Sequence, residues 1–198
     1  MPPETISLPM SLMDMLVPLI FLSGVSFLVR LARTKGNSVS AWMLGGGGTL
    51  AFLGGFMMAT WKVFIALHVT TQAVRFERQF LLLAPGFLLL FLGAMRLTRS
   101  EAFTPQAAAV AAWKAPFLAV TAISSIGMNG FLTRYAFQRK QRLAGWMFIL
   151  VVVFMLILAG MSGGTQSIAK QWVEQSLNLL EQSLFAIGSY LLYREAAE

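Results

Sequence analysis

The chain has 198 residues, 57% of them hydrophobic and only 12% charged, with a net charge of +7. A soluble domain holds roughly a quarter charged residues, so about half of the expected solvating charge is missing. No cysteine and a single histidine exclude disulfides, Cys-ligated metals, a bis-His haem and a His-cluster metal site within the chain, and no cofactor is expected.

Residues 15–29, 50–58, 81–92 and 148–159 contain no charge at all. One soluble core cannot absorb so many such runs, and a lipid bilayer is their natural solvent. The expected class is an all-α, polytopic transmembrane helix bundle in a single domain over residues 1–198. At 1.5 Å rise per residue a span needs about 20 apolar residues. This ruler gives six segments, at about 12–31, 42–67, 79–98, 108–132, 144–162 and 170–193. Residues 1–14 carry Glu4 and Asp14 but no basic residue, and no small-x-small cleavage site follows. The first span is therefore expected to stay in the mature protein.

The first segment ends in Arg30, Arg33 and Lys35, followed by the loop signal Gly36-Asn37-Ser38. Basic residues at the ends of apolar runs anchor spans to headgroup phosphates. The high pI of about 10.4 is thus assigned to the lipid bilayer as partner and not to nucleic acid. Other membrane subunits or a second copy of the chain remain open as partners.

The second segment opens at Trp42 and runs through Gly45-Gly46-Gly47-Gly48, which lacks the Lys-Ser/Thr of a phosphate loop. Gly47, Ala51, Gly55 and Ala59 recur every fourth residue, a spacing that makes a flat groove for close approach of another helix. Lys62 near the end of this segment reads either as an edge residue snorkelling to the interface or as a buried ammonium. The partners considered for it are Glu174 and Glu181. His68 reads as an interfacial histidine.

The third segment is flanked by Arg75 and Arg78 before it and by Arg96 and Arg99 after it. The fourth begins near Trp113 and Lys114 and ends near Arg134, Arg139, Lys140 and Arg142. The fifth begins at Trp146. Its end, Gly160-Met161-Ser162-Gly163, is similar to the short serine motif of rhomboid proteases. Those enzymes pair the serine with a histidine on a later helix, and no histidine follows Ser162. The protease reading stops there.

The sixth segment starts near Trp172 and carries Glu174, Asn178 and Glu181 at i, i+4 and i+7, widened by Gln171, Gln175 and Gln182. Such a polar stripe must face a bundle interior, a water-filled cavity or the headgroup plane. Glu174, Asn178, Glu181 and Lys62 are the candidate substrate- or ion-binding residues. No catalytic residue and no metal ligand is assigned.

Residues 18–42 and 116–146 share an order: proline, apolar helix, basic cluster, then Ala41-Trp42 or Gly145-Trp146. The third and sixth segments end comparably, at Gly93 to Arg96 and Gly188 to Arg194. Three-span repeats would be inverted, because three crossings reverse orientation, and a 3+3 inverted repeat is a plan of transporters. Chance similarity between apolar helices weighs more than the match. Basic residues at the segment ends divide six to seven between the two sides, so orientation is undecided.

Three functions fit this pattern. The leading one is a carrier or channel-like protein with a polar cavity lined by the last helix. The second is a non-catalytic accessory subunit of a larger membrane complex. The third is a lipid-acting membrane enzyme. A bacterial cytoplasmic membrane is the expected setting.

Overall fold

The computed structural model describes residues 6–69, 79–98, 115–161 and 167–197. Among these residues the chain is all-α, with no strand. Its helices are α1 (Leu8–Thr34), α2 (Ser38–Ala66), α3 (Phe80–Thr98), α4 (Ala115–Gln138), α5 (Arg142–Met161) and α6 (Ile168–Ala197). The helices α1, α2, α3 and α5 are long and apolar enough to cross a membrane, which fits a multi-pass integral membrane protein. Each helix packs on its neighbours in the chain, and α6 closes on α1, so the six form a ring. The polar α6 therefore runs alongside two span-length apolar helices, α1 and α5. A helix held this way does not lie flat in the headgroup plane.

Helix boundaries differ from the expected spans mainly at α1 and α4. Pro9 in the first turn of α1 starts the helix at Leu8, because a proline at that position loses no intrahelical bond. This moves Asp14 nearly two turns inside. Helix α4 continues through Arg134 and Tyr135 to Gln138, beyond the expected end at 132. The start expected for it, with Trp113 and Lys114, lies outside the described residues, as do Arg75, Arg78, Arg99 and Ser162.

The two halves are built alike. In the α1–α2 turn the N–H groups of Lys35, Gly36 and Asn37 donate to the carbonyls of Leu31, Arg33 and Ala32, and Ala41 donates to Asn37. In the α4–α5 turn Arg139, Lys140 and Gln141 donate to Tyr135, Phe137 and Ala136, and Gly145 donates to Gln141. Every atom pair is displaced by the same 104 residues (139 − 35). Gly36 and Lys140 both take the left-handed backbone conformation that closes such a helix end, with φ of 69° and 61°. Trp42 and Trp146 keep this offset and both face outward. The prolines do not (116 − 18 = 98).

The third helix of each half follows suit. A side chain at Gly93 would strike Leu44 and Met43, and one at Gly188 would press on Phe148 and Met147. The contacted residues are again 104 apart, while the glycines differ by 95 (188 − 93). These glycines let α3 and α6 approach α2 and α5 at matching points.

The halves run in the same sense, so the inverted arrangement does not hold. Asn37 Nδ2 donates to the carbonyl of Arg96 at 3.5 Å, placing the end of α3 beside the α1–α2 turn. The Lys35 ammonium lies 4.0 Å from the centre of the Tyr135 ring, placing the end of α4 there too. Thus α3 and α4 are parallel: α3 ends at this face and α4 begins at the other. Repeats related by an axis along the membrane normal are the second recurrent plan of carriers.

One consequence is an asymmetry of charge. Arg30, Arg33, Lys35, Arg96, Arg134, Arg139, Lys140, Arg142 and Arg194 all gather at the face of the two turns. Of the described lysines and arginines only Lys62 and Lys170 lie elsewhere. Crowding is felt at Lys35. Burial pulls its ammonium below the usual lysine range, the Arg139 charge pulls the same way, and Glu195 opposes.

Candidate functional site

A cavity of about 450 Å³ opens in the half of the bundle away from the basic face, between α1, α2, α3 and α6. Helix α1 contributes Asp14, Val17, Pro18 and Phe21. Helix α2 contributes Ala51, Gly55, Met58, Ala59 and Lys62. Gln79, Leu83 and Phe87 come from the start of α3, and Glu174, Gln175, Asn178 and Gln182 from α6. From Lys62 down to Ala51 is eleven residues of helix, about 16 Å, so the cavity reaches the middle of α2.

Its α3 and α6 walls are matched positions of the two halves. Gln79, Leu83 and Phe87 correspond to Glu174, Asn178 and Gln182 at the 95-residue offset of the two glycines. The cavity thus has matched positions of the two repeats on its α3 and α6 walls, while most of its remaining lining comes from α1 and α2. Leu83 and Phe87 are apolar where Asn178 and Gln182 are polar, so the two walls differ chemically.

The Lys62 ammonium pairs with the Asp14 carboxylate across α2 and α1. Lys62 is 8% exposed and Asp14 7%, so both charges are largely removed from solvent and each depends on the other. Pro18 adds to the polarity of this wall, since it has no N–H to give the Asp14 carbonyl four residues earlier. On the α6 wall the Glu174 carboxylate is 3.9 Å from the Lys170 ammonium one turn back. The Glu174 Oε1 and Gln175 Oε1 atoms are buried without a hydrogen-bond partner. Glu174 Oε1 still has the Lys170 ammonium as its ion-pair partner, and both Glu174 and Gln175 line the cavity.

The floor is aromatic. Phe21 stacks on Phe185 with ring centres 5.5 Å apart and meets Phe87 at 5.7 Å, and Phe185 meets Phe148 edge-on at 6.2 Å. Beneath it Leu28, Leu31, Leu44, Leu90, Leu132 and Leu192 are fully buried. This apolar plug separates the cavity from the basic face.

Of the candidate residues, Lys62, Glu174 and Asn178 line one cavity. Glu181 is buried beside it, outside the lining, and accepts a bond from Gln182 Nε2 at 3.2 Å. The small-residue series divides. Gly47 and Ala51 meet α3 so closely that a side chain at Gly47 would lie 2.6 Å from the Gly86 carbonyl oxygen, and one at Gly86 2.7 Å from the Ala51 nitrogen. Gly55 and Ala59, together with the cavity-facing side of Ala51, form cavity wall; a methyl at Gly55 would meet only Pro18, at 3.5 Å. His68 is exposed, in a left-handed conformation just past the end of α2.

The residue that sequence reasoning missed is Asp14. With the first span started at 12, Asp14 reads as an acidic residue at the edge of that span, grouped with Glu4. The available signal was its spacing: Met10, Asp14, Pro18 and Phe21 follow one another along one face of the helix, and all four are buried.

No protein-family model matches the chain, and neither a curated protein nor a solved structure matches it.

Proposed function

We propose that the protein is a membrane carrier for a small polar solute, which binds in the cavity between the two three-helix halves. One observation carries this reading: the cavity holds a buried ion pair and the polar side chains of Glu174, Gln175 and Asn178, sits between matched positions of α3 and α6, and is closed toward one face by an aromatic floor. A purely structural bundle gains nothing from such an arrangement, because a polar cavity of this size forfeits side-chain packing. A solute that donates hydrogen bonds would be held by the Glu174 and Gln175 side chains. Relative motion of the two halves would then open the opposite side, as in carriers built from repeats.

Basic loops favour the cytoplasmic side of a membrane. On that rule the face of the two turns is cytoplasmic and the cavity opens to the other side. Of the described residues in the six-to-seven count, nine lie at this face and Lys170 lies away from it, because α4 is parallel to α3. The accessory-subunit reading draws less support: Gly47 and Ala51 are used inside the bundle, so this groove offers no external docking face. Among the described residues the cavity lining contains no serine, threonine, tyrosine or histidine, so the enzyme reading draws less support.

Uptake into proteoliposomes tests the proposal. Panels of small ammonium compounds, amino acids and sugars should reveal one class taken up saturably, with the uptake lost in Asn178→Leu. If every class enters no faster than into protein-free liposomes, the carrier reading fails.

A further inference from the structure

The repeat supplies an internal control for a second feature, on the outer surface near the basic face. A groove of about 640 Å³ runs along α2 between α1 and α3, with Arg33 and Trp42 at its mouth and Gly45 and Gly46 on its floor. A methyl at Gly46 would meet nothing within 4 Å, and one at Gly45 only Val29, at 3.7 Å. The Thr49 hydroxyl donates to the Gly45 carbonyl at 2.9 Å, which leaves the floor without an unsatisfied hydroxyl.

The matching surface of the second half is filled. At the 104-residue offset Gly45 and Gly46 become Ile149 and Leu150, and Arg33 becomes Phe137. The Phe137 ring lies 3.0 Å from where a side chain at Gly145 would begin and meets Trp146 edge-on at 6.2 Å. In the first half no such ring is present, and Trp42 is 81% exposed. The first half therefore has an elongated apolar slot with a guanidinium at its mouth where the second half has its own side chains.

The geometry points to a bound anionic phospholipid in this groove, with its phosphate against Arg33 and an acyl chain over Gly45 and Gly46. Charge selects the occupant. The face is strongly cationic, with Glu195 the single described carboxylate among its arginines and lysines. Arginine offers the planar fork that suits phosphate oxygens. Trp42 lies at headgroup level, where an indole is at home. The site does not depend on what the central cavity carries.

The test is lipid retention by the purified full-length protein. Mixed micelles would contain equal amounts of phosphatidylglycerol and phosphatidylcholine, and retained lipid would be counted by native mass spectrometry. The wild type should retain phosphatidylglycerol selectively. Arg33→Gln should lose that selectivity. Gly46→Leu, which places a side chain where nothing stands within 4 Å, should lose it with an unchanged melting temperature. Arg142→Gln, an exposed basic residue of the same face, should keep it. Equal retention of both lipids by the wild type overturns the proposal. So does a loss in Arg142→Gln as large as in Arg33→Gln, which would mean diffuse charge in place of a site.

Discussion

Lys62 on α2 and Asp14 on α1 form an ion pair buried at the head of the polar cavity. Neither charge is stable there without the other, because desolvation of an unpaired ion in a protein interior costs several kcal/mol. The pair therefore joins the two helices and also keeps a charged wall in place.

This sets up a double-mutant cycle. Lys62→Met leaves the Asp14 carboxylate stranded and should destabilise the protein by about 3–5 kcal/mol. Asp14→Leu with Lys62→Met should recover most of that loss, since apolar replacements of both partners are often neutral. Thermal unfolding in detergent measures the stability. Uptake should stay lost in the double variant, which separates holding the fold from serving the cavity.

Adjacent glycines should behave in opposite ways. Gly47→Ala sets a methyl against the Gly86 carbonyl, which is backbone and cannot swing aside. Overpacking of this kind costs about 1–3 kcal/mol. Gly46→Ala points into open space and should leave the melting temperature where it was. Equal effects of the two would contradict the α2–α3 packing.

Lys140 occupies a left-handed position that glycine fills in the matching turn. A non-glycine residue there stores about 1 kcal/mol of strain. Lys140→Gly should raise stability by up to about that amount, and Gly36→Ala should lower it by a similar one. Lys140→Gln, which removes the charge but keeps the strain, should not stabilise.

Gly55 lies on the cavity wall with room for a methyl. Gly55→Ala should fold and retain uptake. Gly55→Phe would project a ring into the cavity, and uptake should fall while the protein remains folded by circular dichroism.

Much of the bundle is legible from residues alone. Charge-free runs mark the helices, and Trp42, Trp146 and Trp172 stand exposed near their ends. The α6 stripe is legible because Glu174 and Asn178 cannot face lipid. The direction of α4 is not. Apolarity says that a helix crosses the membrane and not which way it runs, and simple alternation of spans puts Arg134 and Arg139 on the side opposite Arg96. Only the packing of Tyr135 beneath Lys35 puts them together. Asp14 is hidden for a related reason: a start at 12 leaves it at the edge of the span, and the observed start at Leu8 carries it nearly two turns inside. The match between the turns is also stronger in hydrogen bonds than in letters, since Gly36 and Lys140 share a conformation and not a side chain.

Parallel halves and a cavity that opens away from the basic face together fix which sites are reachable from each side of the membrane. The absence of native cysteine allows single cysteines to be placed at Ser38, Arg142 and Asn178. A membrane-impermeant maleimide would then be applied to vesicles of each orientation. Ser38→Cys and Arg142→Cys should label from the same side, the cytoplasmic one, and Asn178→Cys should label from the opposite side. Labelling of the two turns from opposite sides, or no labelling of Asn178→Cys from the side away from them, would contradict this arrangement.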